Sequence, residues 1–338
     1  METDMTTNMI KRLTALALAL VLLLPGLSLA EEGTVTEKDG WHFDAKGFLT
    51  GENPGDEYLL EDEPNGVWQY ASKDLSVRIT RYREQYNKKK IREYCVAEIW
   101  ASENEPMSAI MTEPTGKWPA GVKQVHPQLL VDKHPCVFAM SDDYYGSRQQ
   151  GVLKGKKTIQ PGIIIRNGEI RWDKTKDRNN KYARNRPCLD VLAVYRDGSM
   201  KTYLNDELTA EEYLARGALH TFAFGPWLIS DGKINEKEAV EGSGYYEQME
   251  PLTGLGMIEP YHYIAVMVRG RPKEKYAGVR LSWLADKLLE LGCTEALNLD
   301  GGGTACMYFN GKVVIQGQPT FRSMGSMITF GLKEKPAE

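Results

Sequence analysis

The sequence has no excess of positive charge: 42 lysines and arginines face 46 aspartates and glutamates, for a formal net charge of −4. That balance argues against nucleic acid as the partner. Cysteine is sparse, at five residues. An odd count without Cys-x-x-Cys spacing makes neither that kind of zinc site nor a disulfide framework. One or two bridges stay open in an oxidising compartment, and most of Cys95, Cys136, Cys188, Cys293 and Cys306 read as small buried apolar residues. No metal-spaced histidine pair and no 12-residue EF-hand loop is present, so no cofactor or metal is expected; calcium near the acidic turns is the one ion left open. No repeat at solenoid period occurs. Nor does any apolar run reach the roughly 20 residues that a spanning helix needs.

The longest apolar run, Leu13 to Leu24, follows Lys11-Arg12 and precedes Pro25-Gly26 and Ser28-Leu29-Ala30. This is the grammar of a secretory signal peptide, with cleavage expected after Ala30 and no membrane span left in the mature chain. The expected location is therefore secreted or otherwise extracytoplasmic. Glu2 and Asp4 offset Lys11 and Arg12, so cleavage keeps the charge at −4. Residues 31–66 are acidic and glycine-rich with few apolar clusters, and read as a loosely ordered lead-in. One domain is expected over 67–334.

Two-residue turns dominate that domain. Asn167-Gly168, Asp197-Gly198, Asp231-Gly232 and Asn310-Gly311 separate short apolar strands, and each pair suits a type I′ hairpin because both central residues tolerate positive φ. Thr209-Ala210-Glu211-Glu212 forms a capping box for a short helix that stops at Gly217. Ser282 is expected to cap a second helix with Leu284, Leu288 and Leu291 on one face. The class is α+β: a mixed, largely antiparallel β-sheet core with several hairpins and a few flanking helices. The basic stretch Asp173 to Pro187 is a surface loop, open to an anionic ligand but more simply a solvated run.

The chemistry concentrates after the buried strand Ala296-Leu297-Asn298-Leu299, which runs into Asp300-Gly301-Gly302-Gly303-Thr304. Three glycines let backbone amides approach a ligand closely beside a carboxylate, although a tight structural turn is the simpler use of them. No lysine follows, so this is no P-loop. ALNLDGGGTACMYFNGKVV resembles the signature of the phosphodiester glycosidase family. FAMSDDYYG, GIIIRNGEI, HTFAFGPWLISDGKI and FRSMGSMITF resemble further blocks of that family in its order, across Tyr94 to Phe330. The resemblance implies hydrolysis of the bond between a sugar anomeric carbon and a phosphodiester oxygen, on a sugar phosphodiester or phosphoglycan. It implies Asp300 and Asp143 as catalytic carboxylates, acting as acid, base or nucleophile. Arg322 would grip the phosphate, while Ser141, Asn298, Thr304 and the Gly301, Gly302 and Gly303 amides would contact substrate.

Two positions depart from the family pattern. Leu252 stands where an arginine is common, and Asp142 where a glycine is common, adding a carboxylate that would repel phosphate or raise a neighbour's pKa. Arg269 is a candidate to restore the positive charge. These departures keep a rival reading alive, a non-catalytic module that binds phosphoglycan; cleavage on the phosphate side of the diester is a third. His262, in Tyr261-His262-Tyr263, suits a general base by its ordinary pKa but opens a strand, which favours a structural role.

Overall fold

The computed structural model describes residues 35–112, 124–143, 162–174, 188–235, 248–271 and 275–333. The basic loop falls mostly outside them, at 175–187, as does the proposed signal segment. No helix among the described residues is long and apolar enough to cross a membrane.

Every strand pairing within the sheets is antiparallel, and helices are few. The fold is therefore mostly β. A nine-stranded sheet runs in the order Lys233–Ile234, Trp227–Ser230, Glu295–Leu299, Thr253–Glu259, His262–Val268, Lys90–Ala101, Leu75–Asn87, Val67–Ala71, Tyr58–Asp62. Two five-stranded sheets close over it. One carries Gly162–Arg166, Ala218–Phe224 and Asp190–Tyr195 at its centre, and the other carries Cys306–Phe309, Cys136–Ser141 and Ser326–Leu332. Their inner faces share one core, in which Ile99, Leu255 and Leu297 of the large sheet meet Phe138, Met307 and Phe330 of one small sheet and Leu192 and Phe222 of the other. Among the described residues each outer face buries one short helix: Leu281–Glu290 on the large sheet, Pro127–Lys133 and Ala210–Ala215 on the small ones. A face left bare would expose apolar area at about 25 cal/mol per Å², so every sheet needs its cover.

Local chemistry explains most boundaries. Asn167-Gly168, Asp231-Gly232 and Asn310-Gly311 have both residues at positive φ, as a type I′ turn requires. Asp197-Gly198 departs from that expectation: only Gly198 is left-handed, at φ 77°, within a wider turn closed by the Tyr195 amide on the Ser199 carbonyl. The Thr209–Glu212 capping box forms reciprocally. Ser282 does not cap its helix. Arg280 occupies that position without a side-chain bond, because burying Leu281 draws the first turn two residues earlier.

The lead-in also differs from expectation. Thr36–Lys38 pairs with Trp41–Phe43, and Tyr58–Asp62 forms the edge of the nine-stranded sheet. Phe43 and Tyr58 bury themselves with Ala71, backed by Trp41, Leu49 and Leu60. These apolar residues are scattered among acids and glycines in the sequence, and only pairing brings them together. The cysteines form no disulfide with one another; burial pushes the thiols of Cys95, Cys136 and Cys293 up to about 12.

His220 gives the fold a pH dependence. Its Nδ1 accepts from the Asn167 amide at 3.3 Å and its Nε2 donates to the Met107 carbonyl at 3.2 Å, which fixes the tautomer. Burial, reinforced by the Arg166 charge, pushes the imidazole down to about 3, against a smaller pull from the Met107 carbonyl. The unfolded chain binds this proton at about pH 6.5, so the stability His220 contributes is intact above that pH and lost as pH falls. Thermal melts should show Tm dropping from pH 6.5 towards 3, and His220→Gln should make the drop shallower. An unchanged slope in the variant would exclude His220 as a source.

Candidate active site

The strand Glu295–Leu299 is bonded on both sides, to Trp227–Ser230 and to Thr253–Glu259, and is buried throughout. A strand so enclosed reads as a continuous apolar run, and of its two polar exceptions, Glu295 and Asn298, the second points to the site. The Asn298 side-chain amide donates to the Gly225 carbonyl at 2.9 Å, tying the strand to the Phe224-Gly225-Pro226 segment. Its amide oxygen, buried, has no protein partner among the described residues. A buried acceptor without a donor costs stability unless a ligand or water supplies one.

Where the strand ends, Asp300 and the glycine turn floor a cleft of about 260 Å³. Asp300, Glu250, Arg271, Arg322, Asn298 and Phe224 line it over the Gly301 and Gly302 backbone. Two larger hollows, of about 640 and 400 Å³, lie elsewhere. The larger is walled by Asp56, Glu57, Asp74 and Glu105, a set that repels anions; in the other Lys46 lies over the Trp100 ring at 4.7 Å. Charge composition, rather than volume, singles out the smaller cleft. Among these three hollows it alone sets a pair of guanidiniums against a pair of carboxylates.

The glycines serve approach as much as reach. A Cβ on Gly301 would sit 2.2 Å from the Pro251 carbonyl oxygen, and Gly302 holds φ 65° under the Arg271 guanidinium. The Gly302 amide donates to Pro251 at 2.9 Å. That amide, expected to meet the substrate, is instead committed to the turn. Gly303 is held through its carbonyl by the Arg322 amide at 2.7 Å.

Asp300 and Arg322 come together as expected, with Nη1 3.9 Å from Oδ2. Arg322 sits in the segment before the strand Ser326–Leu332, not within it. Thr304 is fully buried and its hydroxyl donates to Asp300 Oδ2, so it holds the carboxylate rather than a substrate hydroxyl. Asp143 is not in the cleft lining. It is fully buried, with Oδ1 2.7 Å from Arg166 Nη2 and Oδ2 accepting from the Ala223 amide at 2.9 Å. Asp142 joins the same buried guanidinium at 3.2 Å and accepts from the Ser326 hydroxyl. The extra carboxylate is thus held in the core on a guanidinium that it shares with Asp143, where it does not face a phosphate. Ser141 is buried as well, its Oγ accepting from the Cys306 amide at 3.4 Å. The two acids look alike in sequence whether they face a cleft or a buried arginine.

Glu250 and Arg271 are the residues that sequence reading missed. Arg271 Nε lies 3.2 Å from Glu250 Oε2, and the Gln318 amide, turned with its oxygen towards Arg271, accepts from the guanidinium. Arg269, two residues earlier, is engaged elsewhere with Glu93. Arg271 therefore supplies the charge at the cleft that Leu252, lining the same wall, does not. The Arg269-Gly270-Arg271 spacing at the end of a strand was the available signal. His262 takes the structural role, stacked on Trp100 with centroids 3.5 Å apart and bonded to Glu98 at 2.9 Å.

The phosphodiester glycosidase family model matches residues 134–330, more than half the chain, and that span contains the cleft. The chain belongs to the phosphodiester glycosidase family. Its fold is similar to the catalytic domain of zebrafish N-acetylglucosamine-1-phosphodiester α-N-acetylglucosaminidase, auto-inhibited by its pro-peptide, with a TM-score of 0.57 at 15% identity over 83% of this chain and 90% of that one. A hypothetical protein from Synechocystis aligns at a TM-score of 0.49 and 11% identity, over 83% of this chain and 69% of that one. In sequence, the SPbeta prophage-derived uncharacterized protein YomE of Bacillus subtilis (strain 168) is 29% identical over 125 residues, 37% of this chain and 19% of that protein. The chain thus spans about a fifth of the length of that relative.

Proposed function

We propose that this phosphodiester glycosidase is exported and hydrolyses the bond between the anomeric carbon of a sugar and a phosphodiester oxygen, releasing the sugar. The observation that supports it is the cleft itself, where Asp300 and Glu250 stand with Arg271 and Arg322 around Asn298. A diester phosphate departs as a stable anion, so its departure calls for charge neutralisation more than for a proton. Guanidiniums supply that through paired hydrogen bonds. The carboxylate's work is then at the anomeric centre, which gathers positive charge as the bond breaks.

Asp300 is the carboxylate best placed for that work, because the Thr304 hydroxyl fixes Oδ2 at the end of a rigid strand. Glu250 is the second carboxylate lining the cleft. The unpartnered Asn298 oxygen takes a sugar hydroxyl. The buried Asp143 supports the floor from behind.

The test is release of reducing sugar from a model diester such as the methyl ester of N-acetylglucosamine 1-phosphate, with products identified. Free sugar plus methyl phosphate is the expected pair; a sugar phosphate among the products would refute cleavage at carbon. Arg271→Ala should raise KM about tenfold, the loss of one charge-assisted hydrogen bond, with a smaller change in kcat. Thr304→Val should do the reverse, lowering kcat about tenfold by releasing Asp300 while KM changes little.

A further inference from the structure

A cleft of about 260 Å³ lies below the roughly 300–1,000 Å³ of drug-sized ligand pockets. It has room for little more than one sugar and its phosphate, so anything longer must lie on the surface beside it. The surface on the Arg271 side is distinctive. Arg83 and Glu93 face each other across the long hairpin Leu75–Asn87/Lys90–Ala101, with Arg83 Nε 2.5 Å from Glu93 Oε2. Arg269 Nη1 reaches the other oxygen of the same carboxylate at 3.1 Å, and its guanidinium lies over the Tyr276 ring at 4.1 Å.

Glu93 is buried, 2% exposed, while the Arg83 side chain is 58% exposed. Among the described residues no other carboxylate lies within ion-pair distance of either arginine. One buried negative charge shared by two guanidiniums leaves one positive charge facing solvent. A lone surface lysine would be a floppy point charge; here two forks are held in place by a common buried anchor, and one is braced on an aromatic face.

This cationic pair adjoins the cleft through the backbone. The Arg269 carbonyl accepts from the Gly278 amide at 3.2 Å. A Cβ on Gly278 would meet the Gly270 carbonyl at 2.5 Å and the Glu250 carbonyl at 2.8 Å. Glu250 and Arg271 line the cleft, and Arg269 is two residues from Arg271. At about 3.3–3.6 Å of chain per residue the two backbones stand no more than about 7 Å apart.

We propose that Arg83 and Arg269 form a second phosphate subsite beside the cleft, and that the substrate is a polymer of sugars joined by phosphodiesters, an inference that rests on the glycosidase reading above. One diester is cleaved between Arg271 and Arg322. The next along the chain lies on the Arg83–Arg269 pair.

The decisive comparison uses two probes, the methyl ester of N-acetylglucosamine 1-phosphate with a single phosphate, and the corresponding two-sugar oligomer with two. Wild type should show a KM about tenfold lower for the two-phosphate probe, and Arg83→Gln should erase that advantage while leaving the one-phosphate KM unchanged. Arg83→Lys, which keeps the charge, should restore part of it; Arg269→Gln should act like Arg83→Gln. Equal KM for both probes in wild type, or an equal loss on both probes in Arg83→Gln, would overturn the subsite. Binding separates this from the catalytic reading. Asp300→Asn protein in a calorimeter should bind the two-phosphate probe about tenfold tighter than the one-phosphate probe. If no protein releases sugar, the glycosidase reading fails while the calorimetric preference still decides the subsite.

Discussion

Asp300→Asn is expected to lower kcat for sugar release by about a thousandfold while leaving Kd for a one-phosphate diester within a fewfold of wild type. The asparagine is nearly isosteric and keeps an acceptor for the Thr304 hydroxyl, so the turn survives. What it lacks is the negative charge that must meet the developing positive charge at the anomeric carbon, and the basicity to draw a proton from water. Glu250→Gln is the companion. Glu250 stands against Arg271 at 3.2 Å, so its neutralisation frees a guanidinium as well as removing a carboxylate. Retention of wild-type kcat in Asp300→Asn would end the assignment of that residue. Binding of the diester by the wild-type protein without release of sugar would instead make the cleft a recognition site, as the rival binding-module reading has it.

Arg166→Met should be among the most destabilising single changes in the protein, at about 3–5 kcal/mol, because it strands two carboxylates in the core. Arg166 is fully buried, with Nη2 serving Asp142 and Asp143 and Nη1 donating to the Thr221 carbonyl at 2.6 Å. Its guanidinium also lies 4.5 Å from the Phe222 ring centroid. Asp143→Ala should cost a similar amount by leaving the Ala223 amide without its acceptor and unbalancing the cluster. Denaturant titration gives the stability, and activity per folded molecule gives the other half of the answer. Asp143→Ala that folds in stabilising conditions should turn over at near the wild-type rate. A thousandfold loss in folded protein would return Asp143 to the chemistry, where the family resemblance puts it.

The contrast between Asp300 and Asp143 shows what the sequence makes legible. Three consecutive glycines after a buried strand announce an unusual backbone, and the carboxylate before them inherits its position from the strand. No such marker distinguishes Asp143, since Ser-Asp-Asp at a strand end has the same composition whether it opens on solvent or on Arg166. That arginine was masked in turn. It closes an apolar strand just before Asn167-Gly168, a place where a charged residue ordinarily points outward. Hairpins and the capping box were readable because they depend on neighbours in sequence. Glu250 was not, because its place is set by an isolated pairing with Val279 in a stretch without periodicity. The helix at Leu281 illustrates the same limit, where packing outranked the preference for a serine cap. The edge strand Tyr58–Asp62 was hidden for a related reason, its apolar partners lying in three separate segments.

The placement of Asp300 at the end of a strand bonded on both sides has an evolutionary corollary. A residue anchored in the most protected part of a molecule cannot be re-aimed by local change without disturbing the whole. Diversification of what such a scaffold accepts must therefore fall on the side chains of the segments around 248–251, 269–271 and 317–322, whose backbones brace the turn while the reactive centre stays fixed.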